Sequence, residues 1–244
     1  MRIPRLYINQ SVQSDTQIDL PQDKTHYISN VLRLRVGDPV KLFNDSDQEF
    51  NAKLLSMTKK SAVLEVETCS QINRESPLNI TLGLGVSRGQ HMDFSIQKAV
   101  ELGVYQIVPI LSEFSNVRLQ ESRKENKLLH WRNIIISATE QCGRTRLAKL
   151  ADPLSYNDYL DKGDLLTRLI LHPGDNGSLH NITTIDNSLT LLIGPEGGFS
   201  DGEVTKAKDA GYKVVSLGPR ILRAETAVVT AISVCQQQWG DLSS

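Results

Sequence analysis

The alternation of apolar and polar positions changes character between residues 70 and 78. Ahead of that point, an apolar and basic stretch over residues 3–8 precedes a helix predicted after Pro21, which carries His26, Tyr27, Val31 and Leu32. Short β-type runs follow at 40–43, 50–56 and 62–67. They are separated by Asn44-Asp45-Ser46-Asp47 and Thr58-Lys59-Lys60, polar clusters suited to hairpin turns. The pattern predicts a small β-rich module, and the polar segment 70–77, closing on Pro77, reads as a linker.

Beyond the linker, strands and helices alternate. Ile80, Leu82, Leu84 and Val86 repeat with period two, residues 92–102 carry apolar side chains at helical spacing, and 107–111 is a short buried-type strand. A helix is predicted over 124–142, then buried strands over 165–171, 189–193 and 214–217. The last two flank a helix starting at Ser200, where Ser200 and Glu203 have the spacing of a capping box and Gly211 supplies the stop. Such alternation implies a mostly parallel sheet covered on both faces, an α/β class. The final helix, 225–239, contains the apolar run 227–234, which suits a subunit interface or a buried core helix.

With 244 residues and 39% hydrophobic content, the chain accommodates one large or two modest domains. No run approaches the roughly 18 apolar residues of a membrane span. Residues 1–20 interleave Arg2, Arg5, Asn9, Asp15 and Asp19 with apolar positions, unlike a secretory segment. A soluble, cytoplasmic protein with no membrane contact is therefore expected. Cys69, Cys142 and Cys235 are far apart and show no C-x-x-C spacing, which points to a reducing compartment and no metal site. The net charge of −1 leaves any contact with nucleic acid to local basic patches.

Three glycine-bearing segments are candidates for chemistry. Residues 83–89 follow a strand and precede a helix, but their spacing is G-x-G-x-x-x-G, one residue longer than a dinucleotide fingerprint. Gly194-Pro195-Glu196-Gly197-Gly198 follows the strand Leu191-Leu192-Ile193; it offers backbone groups to a flat ligand, or is simply a tight strand-to-helix turn. Leu217-Gly218-Pro219-Arg220-Ile221-Leu222-Arg223-Ala224-Glu225-Thr226-Ala227 again joins a buried strand to an apolar helix through a Gly-Pro turn. Two successive strands ending in such loops at one sheet edge would build a single cleft, with Arg220, Arg223 and Glu225 brought to it.

Residues 192–200 with Glu203, followed by 217–227, resemble the paired C-terminal motifs of the bacterial small-subunit (16S) ribosomal RNA (uracil-N3)-methyltransferases, the RsmE family of the SPOUT superfamily. Ile96-Gln97-Lys98-Ala99-Val100-Glu101-Leu102-Gly103-Val104, Pro109 and Glu140-Gln141-Cys142-Gly143-Arg144 are similar to its other motifs. His26, Val31-Leu32-Arg33 and Val36-Gly37-Asp38 are similar to its N-terminal domain. Phe114 departs from the family, which usually has arginine there, and Leu147-Ala148 replaces a segment that often carries proline.

The resemblance implies a PUA-like β-barrel RNA-binding domain over 1–72 and an α/β trefoil-knot (SPOUT) methyltransferase domain over 73–244, assembled as a homodimer. It implies S-adenosylmethionine as cofactor and a uridine in the decoding region of 16S ribosomal RNA, within the small ribosomal subunit, as substrate. The cofactor residues would be Leu171, His172, Pro173, Gly174, Ile193, Gly194, Pro195, Glu196, Gly197, Leu217, Gly218, Arg220, Ile221 and Leu222.

Because the uracil imide must lose its proton to become a nucleophile, Arg223 and Arg144 are candidates to stabilise the anion, and Glu225 to orient them or take the proton. Arg223 and Glu225 pairing across the turn is the alternative. For RNA, Arg2, Arg5, Arg33, Arg35, Arg88 and Arg146 are candidate phosphate contacts. Gln141 is a further candidate beside Arg144, and His26 either meets RNA or packs in a helix. Two competing functions remain: a ribosome-associated RNA-binding protein without catalysis, and a dinucleotide-dependent reductase using residues 83–89.

Overall fold

Alternating burial along β-strands builds the first unit of the structure. It contains β1 (Arg5–Tyr7), β2 (Thr16–Asp19), β3 (Pro39–Phe43), β4 (Gln48–Met57) and β5 (Ala62–Gln71), hydrogen-bonded in the order β1-β3-β4-β5-β2. β1 runs parallel to β3, and the other pairs are antiparallel. Phe50, Ala52 and Leu54 of β4 and Leu64 and Val66 of β5 share one apolar core with Leu6, Leu42 and Ile28. The predicted helix after Pro21 is α1 (Gln22–His26), which widens into a π-type turn over Tyr27–Val31. β2 escaped sequence reading because Ile18 is its one buried residue.

The computed structural model describes residues 3–115, 121–161, 167–174, 177, 179, 182–183 and 187–243. The chain divides into two units, Met1–Glu75 with Thr139–Leu147, and Ser76–Ala138 with Ala148–Ser244. Nine residues from the middle of the chain thus return to the N-terminal unit, which linear pattern does not reveal.

The second unit follows the predicted alternation: β6 (Asn79–Gly85), α2 (Gly89–Glu101), β7 (Gln106–Leu111), α3 (Glu121–Cys142, its last residues counted with the first unit), β8 (Lys149–Leu150), β9 (Leu154–Ser155), α4 (Tyr156–Leu160), β10 (Thr167–Leu171), β11 (Ser188–Ile193), α5 (Asp201–Asp209), β12 (Lys213–Val215) and α6 (Ala224–Trp239). Its strands form one sheet in the order β12-β10-β11-β6-β7-β8, with β9 also beside β7, and every pairing is parallel. Ile110, Ile170 and Leu192 pack with Tyr156 and Tyr159 of α4 and Val204 of α5, while α2 and α6 pack against each other. The capping box forms as expected: Ser200 Oγ accepts from the Glu203 amide at 3.3 Å, and Glu203 Oε2 accepts from the Ser200 amide at 3.0 Å.

The glycines at 83 and 85 have a packing role. A Cβ on Gly83 would lie 2.8 Å from the Tyr159 hydroxyl, and one on Gly85 would overlap Pro195. Both residues are inside β6 and buried, so they admit neighbouring elements rather than a pyrophosphate, and the reductase alternative loses its site.

Candidate functional site

β10, β11 and β12 are adjacent and parallel, so their carboxyl ends meet at one edge of the sheet, where ligands of open α/β sheets bind. The chain after each end contributes to one cavity of about 220 Å³. Leu171, His172 and Pro173 line it after β10; residues 193–199 line it after β11; Leu217, Gly218, Arg220, Ile221 and Leu222 line it after β12. Ala224 and Ala227, on the first turn of α6, complete the wall. Of the residues expected at the cofactor site, all but Gly174 line this cavity. Gly198, Phe199, Ala224 and Ala227 line it too, and all four stand inside the same two motifs, three of them small residues next to the turns and Phe199 at the turn's end.

Backbone geometry explains the loop after β11. A Cβ on the buried Gly194 would approach the Gly198 carbonyl carbon to 2.8 Å, and the Gly198 amide donates to the Pro195 carbonyl at 2.9 Å. The chain thus doubles back too tightly for a side chain at 194. Glu196 turns outward and accepts from the Arg88 amide at 3.0 Å, tying this loop to the start of α2. On its other side, a Cβ on Gly197 would press on Phe114, whose own turn is held by the Glu113 amide donating to Glu203 Oε1 at 2.9 Å.

At the rim, Arg220 and Arg223 are exposed and Ile221 is 85% exposed. Arg223 occupies the N-cap of α6 with extended backbone, which directs the chain out of the helix there. Glu225, in the first turn, pairs with His91 Nδ1 at 3.3 Å rather than with Arg223, so the alternative of a pair across the turn is not the arrangement present.

Arg144, expected to stabilise the uracil anion, is buried instead. It belongs to the first unit, is 5% exposed, and its Nε donates to both carboxylate oxygens of Glu75 at 3.2 and 3.0 Å. A guanidinium buried in such a pair is not available to polarise a uracil, and its placement supports a structural role.

Comparison with known proteins agrees with this geometry. A model described as an RNA methyltransferase domain matches residues 74–236, a range containing every residue of the cavity. The "Ribosomal RNA small subunit methyltransferase E" of Buchnera aphidicola subsp. Schizaphis graminum is 37% identical over 243 residues, covering 99% of both chains. The chain belongs to the ribosomal RNA small subunit methyltransferase E family. A second model, an RNA methyltransferase PUA domain, matches residues 20–67. A family member from Neisseria gonorrhoeae, solved bound to S-adenosyl methionine, is 36% identical and superposes with TM-score 0.92 over 99% of this chain and 100% of that one. A Legionella pneumophila protein solved with the cofactor SAM is 36% identical, with TM-score 0.96 over 99% of this chain and 100% of that one.

Within this small-subunit RNA methyltransferase fold, the expected RNA contacts separate into three groups. Arg2 lies outside the described residues. Arg5, expected to meet a phosphate, is instead 9% exposed, its Nε donates to Glu49 Oε2 at 2.8 Å, and its remaining nitrogens donate to the carbonyls of Thr139, Glu140 and Arg144. Those bonds consume the guanidinium inside the unit. His26, Arg33, Arg35, Arg88, Gln141 and Arg146 are all exposed, His26 at the end of α1 and Arg33 and Arg35 on the segment after it. Exposure at His26 removes the packed-helix alternative. Arg146 reaches a bidentate pair with Asp47, its Nε and Nη2 each 2.7 Å from a carboxylate oxygen.

Proposed function

We propose that this protein transfers a methyl group from S-adenosylmethionine to N3 of one uridine in the decoding region of 16S ribosomal RNA, acting in the cytoplasm on the assembled small subunit. The observation that carries this function is the single cavity formed by the three loops after β10, β11 and β12. Its walls fit the cofactor: Leu171, Ile193, Leu217, Leu222, Ala224 and Ala227 give apolar surface for a flat ring, and the side-chain-free backbone at Gly194, Gly197 and Gly218 leaves polar groups approachable at its edge. Two relatives solved with this cofactor, similar over nearly the whole chain, support the assignment. The same family membership supports the trefoil knot, the homodimer, and an RNA-docking domain over 1–72 beside a catalytic domain over 73–244.

When bound, S-adenosylmethionine supplies an electrophilic methyl group. The residues of this chain must make the uracil imide nucleophilic. Arg223, an exposed cation at the cavity rim, favours the deprotonated imide, because opposite charge stabilises the charged form. Glu225, paired with His91 in the first turn of α6 and next in sequence to the cavity-lining Ala224, is the carboxylate assigned to accept the N3 proton. Apolar cavity walls exclude water from the transfer.

Calorimetric titration with S-adenosylmethionine and separately with NADH tests the cofactor, and mapping of N3-methyluridine in small subunits lacking the modification tests the reaction. Saturable binding of the first ligand alone, followed by methylation, is expected. Binding of the nicotinamide alone would overturn the assignment, while cofactor binding without transfer to any small-subunit base would favour a non-catalytic RNA-binding protein. For Arg223→Ala, the rate constant at saturating cofactor is expected to fall; an unchanged constant would remove Arg223 from the chemistry.

A further inference from the structure

The first unit holds a second cleft, of about 410 Å³, that the cofactor site does not use. Arg5, Lys41, Glu49, Arg74 and Gly143 line it. At its floor lies the buried pair of Arg5 and Glu49, with side chains only 6% and 3% exposed. Lys41 Nζ stands 2.6 Å from Glu49 Oε1, and Arg74 Nη1 is 3.8 Å from Glu49 Oε2. Three cations therefore surround one carboxylate.

Structural demand accounts for only part of this charge. The carbonyls at the end of α3 have a partial negative charge of about one half, and Arg5 donates to those of Thr139 and Glu140, to the following Arg144 carbonyl and to Glu49. Arg74 donates one Nη1 bond, to the Gly143 carbonyl at 2.7 Å. Neighbouring carboxylates are occupied elsewhere: Glu140 by Lys24, Glu75 by Arg144, and Asp47 by Arg146. More than one positive charge is thus left over, on Lys41 and Arg74, whose side chains remain 30% and 47% exposed at the cleft. Each has more N–H donors than these contacts use, since Lys41 offers three and Arg74 five.

We propose that Lys41 and Arg74, set over the buried Arg5–Glu49 pair, seat a backbone phosphate of the RNA substrate. A phosphate there completes the charge balance of the cleft. Glu49 holds the two cations at fixed positions, so their side-chain entropy is largely lost before RNA arrives. This inference rests on the proposed RNA substrate. It places a docking point on residues that sequence pattern did not single out, while the Arg5 beneath them serves as their foundation.

Binding of small subunits lacking the modification, measured over a range of salt concentrations, tests it. The double variant Lys41→Gln/Arg74→Gln is expected to bind about tenfold more weakly, with the slope of log K against log salt shallower by roughly 0.7 to 0.9, the release expected for one phosphate. Lys41→Arg/Arg74→Lys keeps both charges and is expected to keep the slope. If the double variant does not fold, Arg74→Gln alone, at the more exposed position, still lowers affinity and slope. Wild-type affinity and slope in the glutamine variants, with wild-type protein binding normally, would overturn the cleft alone; failure of the wild-type protein to bind subunits would overturn the proposed substrate as well. Saturation by inorganic phosphate at constant ionic strength, with RNA binding unchanged in the double variant, would mark a free-anion site and overturn the RNA assignment.

Discussion

Glu49 shows what a single charge does inside the first unit. Burial pushes its carboxyl up, but hydrogen bonds from Lys41 and Arg5, and their charges, outweigh burial and hold it below its ordinary value of 4.5. A carboxyl with a depressed folded value contributes stability that is present above the unfolded value and lost as pH falls through the folded one. In chemical denaturation the stability difference between wild type and Glu49→Gln should therefore be constant above pH about 4.5 and shrink as pH falls from there through the depressed folded value; a difference that does not change across that window would mean Glu49 is not held by its partners. Gly85→Ala acts at the other unit. Its new methyl group would push on Pro195, so a loss of about 1–3 kcal/mol of stability and a weaker cofactor titration are expected, where an unchanged titration would show that the loop after β11 tolerates displacement. These residues differ in how much the sequence said about them. Gly194 and Gly197 were legible because their neighbours form a contiguous motif. Arg5 and Arg144 were not, because an arginine's role depends on whether a carboxylate reaches it, and Arg5 finds Glu49 across 44 positions of chain.

At the scale of elements, α5 was the most legible, since a capping box is a relation between residues three apart. Its Glu203 has a second use that the sequence conceals. One oxygen accepts from Ser200 and the other from the Glu113 amide, so the cap of α5 also fixes the turn that carries Phe114 against Gly197. Ser200→Ala should cost about 1 kcal/mol by loss of the cap alone. Glu203→Ala should cost more, about 2–3 kcal/mol, and should accelerate amide hydrogen exchange at Glu113, 90 positions away; exchange at Glu113 equal to wild type would separate the two roles. Short elements were the ones lost to sequence reading. β8 and β9 are two residues each, too short for periodicity, and exist because β7 offers them an edge.

For the whole molecule, the two-unit division carries a consequence for cutting the chain. Arg5 caps carbonyls at Thr139, Glu140 and Arg144, and Thr145 Oγ1 donates to the Ile72 carbonyl at 3.2 Å, all inside the first unit. A fragment starting at residue 73 leaves those groups without their partners. We expect it to be less stable than the full chain by on the order of 3 kcal/mol or more, with loss of helix at the end of α3. A fragment with the melting temperature and helical signal of the full chain would show that residues 139–147 do not need the N-terminal strands.

The family resemblance implied the loop after β10, whereas the sequence by itself determined the class of each half, the order of the longer elements, the cap of α5 and the two glycine-bearing loops after β11 and β12. Each depends on residues within a few positions of one another, or on a contiguous motif, so local steric and hydrophobic periodicity suffices. Only the tertiary structure decided that residues 139–147 join the first unit, that Gly83 and Gly85 serve packing, that Glu225 meets His91, and that Arg5 and Arg144 are buried in ion pairs. Each of those is a pairing between groups distant in sequence, selected by which strands become neighbours and which charges must be neutralised once water is excluded.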